Sequence, residues 1–367
     1  PKQKGLLYAG TEHGIYVSYD DGTSWSSFQK NLPIVPITDL TIKNNSLIVA
    51  TQGRSIWILD NLTVLHQLQP DSRNAQTLLF KPKESYRTKG RGGKSSLTAG
   101  TNLPNGVIVH YFLKNYDAEK DTVELQFQSE DGAVIKTYST KDKKNKLEVK
   151  AGGNEFVWDT RYDGAEKLEG MIFWSASFSG AKAVPGSYKV RLAVNGKEQT
   201  QDFTILPDPR SESSVADMQK QFDFVNEVNQ TVDKAHKAIK NMREIRSKLK
   251  DFVKQNQSDS TATRLAAQAK TIQEDLLEVE KTLYQTQNRS NQDPLNFPIR
   301  LTNKLGHLNR LLTIDDFPPT NQDLAVKEEL TAAVEVAMER YQQLIDSDVA
   351  SFNEDFKKEK RNYLGTN

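Results

Sequence analysis

The spacing of the apolar residues changes at Leu206-Pro-Asp-Pro-Arg210, and this change constrains the fold more than any other feature of the chain. Before it, runs such as GIYVSY (residues 14–19) and SYKVRLAV (187–194) alternate or are rich in β-branched and aromatic residues, which is typical of strands. After it, apolar residues recur every three or four positions, which is typical of amphipathic helices. Because 367 residues exceed what one core usually holds, the sequence predicts a β region and a helical region divided into two or three domains.

Residues 1–68 predict the last blade or blades of a β-propeller. Two segments, YAGTEHGIYVS (8–18) and VATQGRSIWIL (49–59), are similar to each other, since each reads as a strand, a polar turn with glycine and a second strand. In these runs Ile15, Val17, Ile56 and Ile58 lie on one alternating set, while Tyr16 and Trp57 lie on the other. Apolar residues on both sets predict sheets covered on both faces. A propeller needs at least about four blades, so upstream blades of the same precursor, or a partner chain, are expected to complete the ring.

The stretch SYDDGTSW (18–25) is either a turn or a ligand site. Asp21-Gly22 is a hairpin dipeptide, because glycine adopts positive φ at little cost and aspartate binds nearby backbone donors. The pattern S-x-D-x-G-x-[ST]-W is matched by Ser18, Asp20, Gly22, Ser24 and Trp25. It resembles the Asp-box of bacterial neuraminidase (BNR) repeats, and this resemblance implies a structural hairpin on the rim of a blade. A ligand or ion role is the alternative.

Residues 69–102 read as a linker with a glycine-rich, basic core, YRTKGRGGKSS (86–96). Gly93-Lys94-Ser95 match the end of a phosphate-binding loop, but Thr88 stands where that motif requires its first glycine. A solvated linker is therefore the prediction, with Arg87, Lys89, Arg91 and Lys94 as the first sites of proteolysis.

Two further domains follow the linker. Residues 103–206 predict a β-sandwich of the immunoglobulin (Ig) or fibronectin type, with Trp158 and Trp174 in its core. Residues 207–367 predict an antiparallel bundle of four helices, two of them very long, and Ser214 with Asp217 is placed to cap the first. A coiled coil with a partner chain is the alternative for the helices.

No catalytic residues, metal ligands or cofactor site are predicted. The five histidines are scattered, and the chain contains no cysteine, which excludes disulfides and thiolate metal sites. Glu12 and Asp39 lie near strand ends and are weak candidates for a propeller channel. Arg54, in the turn Gln52-Gly53-Arg54, is a candidate for binding an anionic group in that channel, or it pairs with a neighbouring blade.

Charge and hydropathy exclude some classes of partner. The chain has 49 basic and 48 acidic residues, which argues against nucleic acid as the main partner. No apolar stretch is long enough to predict a transmembrane segment.

A family resemblance covers nearly the whole chain. The segments LIVATQGRSIWILDNLTVLHQL (47–68), NEFVWDTRYDG (154–164) and DPLNFPIRLTNKL (293–305) resemble large bacterial proteins with a sortilin-like, neuraminidase-repeat propeller, often labelled glycosyl hydrolases. In those proteins a glycine often follows the arginine, where this chain has Ser55. The resemblance implies export to the periplasm, the outer membrane or the exterior of a bacterium, and a longer precursor.

Taken together, these features predict a non-catalytic portion of an exported propeller protein that acts in binding or assembly. One alternative is the C-terminal part of a glycoside hydrolase whose active site lies in upstream blades. The other is a sortilin-like receptor, so a glycan and a peptide are both candidate ligands.

Overall fold

The computed structural model describes residues 3–69, 72, 74–88, 100, 102–256 and 262–358. The chain forms two compact units. The first comprises Pro1–Thr160 and Pro185–Arg210, and the second comprises Arg161–Val184 and Ser211–Asn367. Strands make up most of the first unit and helices most of the second, which confirms the predicted order of β and helical regions.

The first unit begins with two three-stranded antiparallel sheets, which together span the predicted propeller region. Sheet 1 contains β1 (Leu7–Thr11), β2 (Gly14–Ser18) and β3 (Ser26–Ser27), and sheet 2 contains β4 (Ile37–Lys43), β5 (Ser46–Thr51) and β6 (Ile56–Leu59). The middle strand is β2 in sheet 1 and β5 in sheet 2. A short helix, α1 (Thr63–Gln67), follows sheet 2, and Leu62 before it is completely buried.

The remaining strands form two more sheets. A three-stranded sheet has the order β12-β9-β7, and a five-stranded sheet has the order β11-β10-β13-β14-β8. Their strands are β7 (Thr77–Leu79), β8 (Ser85–Arg87), β9 (Val107–Leu113), β10 (Val123–Ser129), β11 (Val134–Ser139), β12 (Gly152–Trp158), β13 (Gly186–Val194) and β14 (Lys197–Pro207). Trp158 is fully buried and its ring stacks on Phe127 at 4.5 Å, as expected for a core residue.

Part of the predicted linker is ordered β-structure instead. Strand β7 pairs antiparallel with β9, and β8 pairs parallel with β14. Arg87, predicted as a protease site, is 1% exposed, so that expectation is wrong at this residue. The other three predicted cleavage sites and Gly93-Lys94-Ser95 lie outside the described residues.

The second unit is built on long helices around one apolar core. The helices are α2 (Val215–Gln255), α3 (Thr263–Leu283), α4 (Leu301–Leu312), α5 (Asn321–Leu344) and α6 (Ala350–Lys358), with a single-turn π-helix at Ile345–Val349 and a 3₁₀ turn at Asp293–Leu295. The predicted cap is confirmed, since the Ser214 hydroxyl accepts from the Asp217 backbone N–H and Asp217 accepts from the N–H of Ser214. Thr320 and Asp323 cap α5 in the same way.

A segment without regular structure, which we call the strap (residues 161–184), packs on these helices. It follows β12 in the chain and ends before β13. Helix side chains bind its backbone. Asn303 accepts from the N–H of Trp174 and donates to its carbonyl, at 2.7 and 2.8 Å, while Asn229 donates to Ser179 O at 2.9 Å. Because the strap runs along the helices, the indole of Trp174 is 42% exposed and its predicted place in a sandwich core is wrong.

Candidate functional site

The stretch SYDDGTSW folds as the turn between β2 and β3, and its polar groups bind one another. The Ser18 hydroxyl donates to Asp20 at 2.8 Å and accepts from the Gly22 N–H at 2.9 Å. The Asp20 carboxylate also accepts from the Ser24 N–H at 2.8 Å and from its hydroxyl at 2.5 Å. The Trp25 indole N–H donates to Gly22 O at 3.1 Å. The five residues of the pattern therefore form one hydrogen-bonded turn.

These bonds determine the chemistry of Asp20. The Ser24 hydroxyl and N–H, followed by the Ser18 hydroxyl, lower the pKa of Asp20 to about 2, because they stabilise the carboxylate form. A general acid needs the opposite shift. At neutral pH Asp20 is an ionised acceptor occupied by its own turn, which favours a structural role.

Arg54, Glu12 and Asp39 are not joined into a site. Arg54 is exposed in the β5–β6 turn, where its guanidinium donates to Gly53 O at 3.1 Å and its carbonyl accepts from the Trp57 indole at 2.8 Å. Glu12 and Asp39 are also exposed, in the β1–β2 turn and on β4. Among the described residues, no hydrogen bond or ion pair connects the three. The cationic Arg54 is free to meet an anion or a neighbouring chain.

Sheets 1 and 2 pack together through one face of each. Leu40, Val49 and Trp57 stand in register across sheet 2 and contribute to a core that includes Ile15 of sheet 1. Gly10 allows this close approach, since a Cβ at this position would lie 2.6 Å from Cγ2 of Ile37.

The opposite face of sheet 2 is uncovered, and it is apolar on β5 and β6 but carries Asp39 and Thr41 on β4. Ile58 pairs with Ile48 and Ile56 pairs with Ala50, so these four side chains share that face. Ile56 is 68% exposed and Ile58 56%. We call this surface the open face of sheet 2. The sequence predicted apolar residues on both alternating sets, and the structure leaves one set exposed.

Sheet 1 has a corresponding face. Leu7, Ala9 and Tyr16 lie on the side away from the shared core, because Ala9 pairs with Tyr16 and Leu7 with Ser18. Leu7 is exposed, while Ala9 and Tyr16 are half-buried. The two packed sheets therefore present apolar side chains on both outer sides.

A cavity of about 1240 Å³ in the first unit was not foreseen from the sequence. Its wall includes Asp20 and Ser24 of the turn, Tyr111 and Phe112 of β9, and Glu155 of β12. The wall also holds His110, whose Nδ1 lies 3.7 Å from Glu155 Oε2. Burial lowers the pKa of His110, with Glu155 opposing the shift, so the imidazole is neutral at pH 7. No short-range motif marks this site, because its residues come from distant strands.

The described part of the chain holds no group of three or more histidine or acidic side chains placed to bind a metal ion. None of its helices is both long and apolar enough to cross a membrane.

Comparisons with known proteins add little. Neither the protein-family models nor the curated proteins give a match. Among solved structures the chain is similar to one named pT26-6p, with 9% sequence identity and a TM-score of 0.13. The match covers 65% of this chain and 46% of that chain, so this chain spans less than half of that protein. A TM-score this low carries no argument about fold or function.

Proposed function

We propose that this chain is a non-catalytic binding and assembly portion of an exported, sortilin-like propeller protein with Asp-box repeats. Sheets 1 and 2 would act as two neighbouring blades, and further blades would pack against their outer sides to close the ring. The adjoining β-sheets would form an Ig-like domain, and the helical unit a bundle. The open face of sheet 2 is the observation that carries this proposal.

The energetics of that face support a covered state. Fully burying an isoleucine side chain stabilises by about 1.5–3 kcal/mol. Ile56 and Ile58 lie side by side on β6 and remain mostly exposed in this chain. Leaving the exposed parts of both in water forfeits roughly 2–4 kcal/mol, whereas the stability of a whole domain is about 5–15 kcal/mol.

The packing of sheet 1 on sheet 2 favours a blade as the partner, although each sheet is one strand short of a full blade. A propeller blade has four strands, and each of the two sheets has three in the described chain. The inner faces already show how one sheet packs on the next. A blade from the same precursor or from a partner chain repeats this packing on the open face.

Cysteine labelling tests the proposal, because the chain contains no cysteine of its own. Ile58→Cys would be labelled with a maleimide in the 367-residue chain and in the same chain joined to the upstream blades that this proposal requires. We expect rapid labelling in the first protein and labelling slowed by roughly tenfold or more in the second, since burial of the face restricts access. Val336→Cys is the matched control, because Val336 is 67% exposed on α5 and should react equally in both.

Two results would contradict the proposal. One is equal labelling of Ile58→Cys in both proteins. The other is a 367-residue chain that dimerises and protects Ile58→Cys without any further segment, which would identify a second copy as the partner.

A further inference from the structure

A second cavity, of about 540 Å³, lies in the helical unit between α2, the end of α3 and the strap. Its wall contains four cationic side chains, Arg243, Arg246, Lys281 and Arg289, and two carboxylates, Glu169 and Glu280. No sequence motif indicated this group, since its members come from three separate parts of the chain.

The centre of the cavity is an ion triad. Glu280 is 3% exposed at its side chain, and its two oxygens accept from Arg243 Nε at 2.7 Å and from Arg246 Nη1 at 2.6 Å. Arg243 and Arg246 lie three positions apart on α2, so both guanidinium groups lie on one side of the helix. One arginine is enough to neutralise one carboxylate. The triad therefore carries a surplus positive charge in a partly buried place.

Both arginines keep unused donors. A guanidinium has five N–H groups, and among the described residues each arginine has Glu280 as its hydrogen-bond partner. The Arg243 guanidinium is also held 5.5 Å from the centre of the Tyr284 ring, which fixes its plane. Two guanidinium groups that are held in place and have unused N–H donors can bind the oxygen atoms of an oxyanion.

An orphaned polar group lies in the same wall. Asn288 is 6% exposed, and its Oδ1 has no hydrogen-bond partner although it is buried. The oxygen itself lies below the accessible surface of the wall, so it takes no part in the binding proposed here.

We propose that this cavity binds a small oxyanion, a carboxylate or phosphate whose charged group is held by Arg243 and Arg246. Glu280 fixes the arginines and also opposes the ligand by its charge. This role is independent of the blades in the first unit.

Calorimetric titration of the full chain at constant ionic strength tests the proposal, with D-glucuronate and glucose 6-phosphate as carboxylate and phosphate probes. We expect saturable binding of at least one probe, and the tighter one identifies the class of anion. Arg246→Gln should weaken binding by roughly tenfold, because one charged hydrogen bond is lost. Glu280→Gln should strengthen it, because the competing carboxylate is removed. Lys248→Gln, an equal change of charge at an exposed residue on the opposite side of the same helix, should leave affinity unchanged.

The opposite directions expected for Arg246→Gln and Glu280→Gln separate ligand binding from loss of fold, which could only weaken affinity. Absence of saturable binding of both probes to the wild-type chain and to Glu280→Gln would overturn the proposal. So would a loss of affinity in Lys248→Gln equal to that in Arg246→Gln, since that would indicate nonspecific charge attraction.

Discussion

Gly306 offers a test of how the strap packs on the helices. It lies inside α4, where a glycine costs about 1 kcal/mol relative to alanine. On a free helix face Gly306→Ala would therefore stabilise the protein. Here a Cβ at Gly306 would lie 2.5 Å from Cε1 and 2.7 Å from Cζ of Phe178, and 2.9 Å from Cβ of Ala176. These distances are too short for carbon atoms, so the strap must move.

The ring of Phe178 cannot turn aside without disturbing its neighbours. Its centroid is 4.6 Å from that of Phe173 and 5.4 Å from that of His236. The backbone is also fixed, because the Ser177 N–H donates to Gly306 O at 2.8 Å. Overpacking of this kind costs about 1–3 kcal/mol, against the gain of about 1 kcal/mol in helix propensity. We expect Gly306→Ala to lower the free energy of unfolding of the second unit by up to about 2 kcal/mol.

Chemical denaturation followed by far-UV circular dichroism measures this change. Phe178→Leu alone and combined with Gly306→Ala completes a double-mutant cycle, and we expect the double variant to lose less than the sum of the two. Lys304→Ala is the control, since Lys304 is exposed on the same helix and should change stability little. Stabilisation by Gly306→Ala of about 1 kcal/mol, as on a free helix, would refute the described packing.

Three further predictions concern single residues. Ser55 has φ +67°, a conformation that costs an L-residue about 1–2 kcal/mol and that glycine tolerates. Ser55→Gly should therefore raise the free energy of unfolding of the first unit by about 1 kcal/mol. An unchanged denaturation midpoint would contradict this. Because the pKa of Asp20 is lowered from 3.8 to about 2, its carboxylate stabilises the turn above pH 3.8, and this contribution disappears as the pH falls through about 2. The difference in the free energy of unfolding between wild type and Asp20→Asn should shrink over that pH window. A constant difference would count against the assigned hydrogen bonds. Burial lowers the pKa of His236 below 6.5; its bond to Glu166 O and the nearby Asp233 oppose this shift, and Arg243 adds to it. The second unit should therefore keep its full stability above pH 6.5 and lose this contribution as the pH falls through the lowered value. His236→Gln should flatten the dependence of the free energy of unfolding on pH, and an unchanged dependence would assign it to other groups.

Local patterns predicted the local structures well. The break at residues 206–210 separates strands from helices, because alternation and helical periodicity depend on neighbouring residues alone. The cap at Ser214 was visible for the same reason. The spacing of Ser18, Asp20, Gly22 and Ser24 likewise encodes the turn, since all its bonds span four residues or fewer.

Long-range features could not be predicted from these patterns. The strap has no periodic spacing of apolar residues, because its backbone groups bind side chains such as Asn229 and Asn303 and not the backbone of a neighbouring strand. The triad of Arg243, Arg246 and Glu280 joins residues more than thirty positions apart. A usable signal was present in α4, where Asn303, Gly306 and Asn309 interrupt the leucine positions and are all buried. Polar or tiny residues on the apolar side of a helix indicate a partner that needs hydrogen bonds or room.

The path of the strap sets an order of events during synthesis. The ribosome releases the strap early, whereas Asn303, which binds both polar groups of the Trp174 backbone, follows 129 positions later. By the time Arg210 has emerged, every strand of the first unit has been made, yet Phe173 and Phe178 still lack the helices that cover them. The nascent chain therefore carries an aromatic loop that must wait for α4, and this interval exposes it to aggregation or to chaperones. A gene fragment starting at Ser211, the obvious place to cut, would encode helices without the segment that completes them.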